Sequence, residues 1–78
     1  MENSQDWSME SNTSTRILKI TYFTSDKTLV VTFKSGATYK YLEVPHIVAS
    51  GFMETNSIGK YFDTHIKNKY NYRRVING

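Results

Sequence analysis

The 78-residue chain has no cysteine, a single proline and no apolar run near the roughly 20 residues that a membrane-spanning helix needs. Without thiols there is no disulfide framework, no thiolate nucleophile and no cysteine-based zinc site, and the composition suits a reducing compartment. The first residues lack the basic-then-apolar pattern of a secretory signal, so the expected location is the cytoplasm, without membrane association. Histidine is scarce too: His46 and His65 stand far apart, with no third ligand at recognisable spacing. His65 reads as a packed side chain on an apolar helix face. No Ser, His and Asp arrangement has the context of a nucleophile, and a domain this small offers little depth for a water-excluding pocket. The expectation is a protein that is not an enzyme and carries no metal or cofactor.

Acidic residues are scarce in one part of the chain. Glu2, Asp6 and Glu10 precede residue 15, where Lys and Arg are absent; after it, ten basic residues face only Asp26, Glu43, Glu54 and Asp63, a net +6. That excess attracts a polyanionic partner, although it also serves ordinary solubility. Residues 1–14 show no periodicity and read as a flexible acidic arm, with no ordered role expected for Trp7. Residues 15–78 read as one domain, which buries on the order of 60% of its unfolded surface. A core that small favours self-association, so a homo-oligomer is expected.

Within the domain, residues 16–23 alternate, with Leu18, Ile20 and Tyr22 on one face, and residues 28–34 repeat the pattern with Leu29, Val31 and Phe33. Ser35-Gly36 makes a tight hairpin into a third strand over 37–43. Val44-Pro45 then opens a short helix over 46–53 with an apolar stripe of Ile47, Val48, Gly51 and Phe52. Ser57 caps a second helix running to about residue 67 or 68, on which Asp63 and Lys67 are spaced to pair. The fold expected is α+β, a three-stranded antiparallel meander followed by two short helices packed on the sheet. Its core is read as Leu18, Ile20, Leu29, Val31, Phe33, Ile47, Phe52, Phe62 and Ile66.

The start of the second helix concentrates binding chemistry. Gly59 lets another group approach the backbone, and Lys60 adds positive charge where the helix dipole is already positive. Arg73 and Arg74 add forked donors suited to phosphate. Gly-Lys alone, without the preceding glycine spacing, does not make a nucleotide-triphosphatase loop. Tyr39 and Tyr41 share one strand face, either as a base-stacking platform or as core whose hydroxyls line a groove. The candidate ligand-binding set is Tyr39, Tyr41, Ser57, Gly59, Lys60, Tyr72, Arg73 and Arg74.

Phe33-Lys34-Ser35-Gly36, Tyr39-Lys40-Tyr41, Val44-Pro45, Ser57-Ile58-Gly59-Lys60-Tyr61-Phe62, His65-Ile66 and Tyr70-Asn71-Tyr72-Arg73 occur here in that order. This succession resembles the KTSC domain over residues 15–75, with the Tyr-x-Tyr motif on Tyr39 and Tyr41 and the Gly-Lys-Tyr-Phe motif on 59–62. The family is a small module of bacterial and phage proteins, found also at the C-terminus of some lysyl-tRNA synthetases. The resemblance implies a β-meander with two helices, a nucleic-acid role at family level and no catalytic residues. Two function classes follow. One is a non-enzymatic module for a phosphate-bearing ligand: short single-stranded RNA, or a small nucleotide such as a cyclic dinucleotide signal sequestered by a phage-type protein. The other is a protein-interaction module that docks a partner through its sheet edge or aromatic surface.

Overall fold

Alternating β-branched and aromatic stretches become strands wherever a neighbouring strand can take up their backbone hydrogen bonds, and here they recruit two more strands than the alternation reveals. In the computed structural model, which describes residues 5–11 and 14–75, the strands are β1 (Trp7–Glu10), β2 (Ile17–Phe23), β3 (Thr28–Phe33), β4 (Thr38–Tyr41) and β5 (Tyr72–Val75). Between β4 and β5 lie α1 (His46–Ser50), a 3-10 turn (Gly51–Met53) and α2 (Ile58–His65). The sheet runs β1-β2-β3-β4-β5, each neighbouring pair antiparallel. The architecture is thus α+β, with five strands instead of the expected three. The outer strands have four residues each, too few for periodicity to register, and unlike the equally short β4 neither is announced by a tight hairpin turn. Their ordering comes from the open hydrogen-bonding edges of β2 and β4.

β1 also corrects the reading of residues 7–10 as part of a flexible arm. Trp7 lies opposite Tyr22, with ring centroids 5.7 Å apart, and packs partly buried against the core. A second correction concerns Leu18. The β2–β3 register slips between Ile17 and Lys19, so Leu18 is an extra residue on the bulged strand. Ile17 and Ile20 therefore both face inward, fully buried, whereas Leu18 is 46% exposed.

The helices cover one sheet face. Pro45 stands just before α1 as its cap, its carbonyl accepting from the Val48 and Ala49 amides at 3.1 and 3.0 Å. α1 turns Ala49 inward and leaves Ile47 79% exposed, because in five residues the face is set by what flanks it: Val44 on one side and Phe52 on the other, both buried. The core comprises Ile17, Ile20, Tyr22, Leu29, Val31, Tyr41, Val44, Ala49, Phe52, Ile58, Phe62 and Ile66, with Phe33 partly buried at its edge.

Ser57 caps α2 as its sequence suggests, accepting from the Lys60 amide at 3.4 Å. The helix ends at His65, earlier than expected, where the Lys67 amide reaches back to the Phe62 carbonyl at 2.9 Å and Asn68 takes φ 64°. Asp63 pairs with Arg16 and not with Lys67. His65 is exposed, lying against the Tyr61 ring at 4.3 Å instead of packing into the core.

Candidate functional site

Ser14 builds the first half of the site. Its hydroxyl accepts from the Arg16 and Ile17 amides at 3.1 and 2.9 Å, which bends the chain ahead of β2 and turns Arg16 toward α2. The Arg16 Nη2 group donates to the Gly59 carbonyl at 2.9 Å and to Asp63 Oδ2 at 2.8 Å. The group that Gly59 admits to the backbone is thus this guanidinium: a Cβ at residue 59 would lie 3.0 Å from Nη2. Sequence reading left Arg16 out of the site. The signal available for it was the Ser14 hydroxyl two residues ahead, a pattern that fixes a bend but does not name the partner.

Around this contact lies an open cleft of about 280 Å³ between residues 14–16 and 56–60. It brings Ser57, Gly59 and Lys60 together at the start of α2, where unpaired amides and the helix dipole favour an anion. Lys60 is exposed, and the one ion pair among the described residues is Arg16–Asp63. A second, more apolar groove of about 420 Å³ is lined by Thr15, Arg16, Phe33, Lys34, Ala37 and Tyr39, together with Ser35. Arg16 borders both.

The tyrosines of the candidate set meet in one cluster. Phe62 touches Phe33 and Tyr41 at centroid distances of 5.5 and 5.7 Å, Phe33 touches Tyr39 at 5.8 Å, and Tyr72 closes the circuit against Tyr39 and Tyr41 at 5.6 and 5.5 Å. Five rings thus link in a closed series, mostly edge to face, a geometry the aromatic quadrupole favours. Tyr41 is buried, Tyr39 half-buried and Tyr72 56% exposed, so the cluster grades from core on α2 to surface on β5.

Burial, and then the neighbouring Tyr72 and Tyr39 hydroxyls, push the Tyr41 phenol from the ordinary 10.0 up to about 12. Burial also raises Tyr22, and burial with Tyr70 and Glu54 raises Tyr61. A phenol with a raised folded-state value favours the fold in its neutral form. The Tyr41 contribution is therefore fully present below pH 10 and lost as pH climbs through about 12. An ultraviolet phenolate titration is expected to show a late step that Tyr41→Phe removes; an unchanged late step would exclude Tyr41 as its source.

The paired arginines separate. Arg74 lies opposite Tyr39, on the face that carries the aromatic cluster, whereas Arg73 lies opposite Lys40 and turns to the other face. Consecutive strand residues alternate, so the two arginines cannot close on one phosphate from the same side. Among the described residues no three of His, Asp and Glu come together to hold a metal ion, and no helix is long and apolar enough to cross a membrane.

Comparison with known proteins assigns this arrangement to a family. No curated protein matches the chain. The crystal structure of a KTSC domain protein from Yersinia pestis superposes with a TM-score of 0.81 at 34% sequence identity, covering 92% of this chain and all of that one. The family model of the KTSC domain matches residues 13–70, which hold both clefts' cations and four of the five clustered rings. With that span matched and the fold shared, the chain belongs to the KTSC domain family.

Proposed function

We propose that the chain is a non-enzymatic binding module for a phosphate-bearing ligand, a small nucleotide such as a cyclic dinucleotide or a short single-stranded RNA. The observation that carries this reading is the position of Arg16, which lines both the polar cleft at the start of α2 and the apolar groove of Phe33 and Tyr39. A nucleotide is built the same way, with an anionic group joined to a flat aromatic one. Its phosphate sits by Ser57, Gly59 and Lys60, where the helix amides and the Lys60 ammonium oppose its charge, with Arg16, already paired to Asp63, on the same wall. Its base lies along Phe33 and Tyr39, a contact worth about 1–3 kcal/mol per stacked base. Tyr41 and Tyr72 hold Tyr39 in place, Arg74 adds charge on the same face, and Arg73 has no part in this site. In this reading the protein acts in the cytoplasm as a self-associated sequestering module, of the kind a phage would use against a nucleotide signal.

Among the described residues the exposed Lys60 side chain makes no hydrogen bond or ion pair, so its replacement reads binding and not folding. Calorimetry with cyclic dinucleotides and short RNA oligomers at two salt concentrations is expected to show binding that weakens with salt. Lys60→Glu should abolish it, whereas Lys27→Glu, at the β2–β3 turn, should leave it unchanged. Equal affinity of Lys60→Glu and parent for every ligand would end this reading. The protein-interaction alternative would then gain, since β1 and β5 form the two outer edges of the sheet and Tyr72 is exposed beside one of them.

A further inference from the structure

We infer that Lys40 and Arg73 form a second anion site, for a nucleoside phosphate, on the sheet face away from the helices. Tyr39, Tyr41 and Tyr72 turn toward α2, so by strand alternation Lys40 and Arg73 turn outward, and the β4–β5 register sets them directly opposite each other. Residues so paired hold their Cβ atoms about 4.5–5.5 Å apart, where like charges repel. Among the described residues neither has an ion-pair partner. The register neighbour of Lys40 on β3 is Val30, the adjoining pair is Thr38 and Val75, and the one ion pair among the described residues belongs to Arg16. Both side chains are exposed. A doubly charged phosphate relieves the repulsion, with the guanidinium fork taking two oxygens and the ammonium opposing a third.

A cleft of about 440 Å³, lined by Leu42, Tyr70, Asn71, Tyr72 and Arg73, opens at the Arg73 side of this pair and lies within the size range of ligand pockets. A neighbouring opening shares Leu42, Tyr70 and Asn71 and adds Lys69, with Glu43 also on its wall. The wall is fixed, because the Leu42 amide donates to the Asn71 carbonyl at 2.9 Å and Tyr70 packs partly buried against the core. Arg73 holds the phosphate at the mouth, and the Asn71 side-chain amide offers both donor and acceptor to a base edge.

Amide NMR spectra of the full chain at low salt test this, with uridine, inorganic phosphate and uridine 5′-monophosphate as probes. The monophosphate is expected to shift the amides of Lys40, Asn71 and Arg73 saturably, phosphate more weakly, and uridine not at all. Arg73→Gln and Lys40→Gln should each weaken that response at least tenfold, with the spectrum itself reporting that the variant is folded. Lys60→Glu should leave it intact, which separates this site from the one at α2. Absence of shifts at these three amides, or equal affinity of Arg73→Gln and parent, would overturn the proposal.

Discussion

Phe62→Ala is expected to remove a large share of the domain's stability and to lower its melting temperature sharply. Phe62 is 4% exposed on α2 and packs edge to face on Phe33 and Tyr41, rings from two different strands of the sheet. Truncation removes the ring and leaves a cavity between rigid neighbours, at a typical cost of about 3–5 kcal/mol. A domain of this length has about 4–12 kcal/mol of stability in all. Removal of the ring also opens the five-ring series that holds Tyr39 and Tyr72 in place. Circular dichroism melting is the check: a cooperative transition close to that of the parent protein would contradict the role given to Phe62.

Gly51→Ala is the second large effect expected, and its sign depends on one neighbour. Gly51 has φ −60°, an ordinary helical value, so alanine there suffers no backbone strain. The obstacle is Tyr61, whose ring lies on the glycine: an added Cβ would overlap its hydroxyl and Cζ and come within 2.7 Å of Cε1. Tyr61 cannot retreat easily. Its hydroxyl donates to the Val48 carbonyl at 2.6 Å, and its ring packs against Phe52 at 4.7 Å. Overpacking at such a site costs about 1–3 kcal/mol or more. In a Tyr61→Ala background the obstacle is gone, and Gly51→Ala should be neutral or stabilising through the better helix propensity of alanine. Denaturant unfolding of the four proteins of this cycle decides it, since equal costs in both backgrounds would show that Tyr61 is not the cause.

The site was legible in part. Ser57, Gly59 and Lys60 are adjacent in sequence, so the start of α2 could be placed by capping chemistry alone, and the structure keeps them together in one cleft. Arg16 could not be found that way, because it reaches Gly59 and Asp63 from more than forty positions away. Arg73 and Arg74 show the converse error. Adjacency suggested one function for two residues that strand alternation sends to opposite faces once β5 is known to be a strand.

Local chemistry in the sequence determined the α+β class, the central β2–β3–β4 meander, the Ser57 cap and most of the inward residues, including Ile20, Leu29, Val31, Phe52, Phe62 and Ile66. These depend on period, turn residues and capping, which act over a few positions. Tertiary structure alone decided the bulge that turns Leu18 outward, the choice of Ala49 over Ile47 and the capture of Asp63 by Arg16. It also decided the two edge strands, since neither four-residue stretch carries the hairpin turn that reveals the equally short β4, and β1 and β5 exist because β2 and β4 present unpaired backbone groups to them.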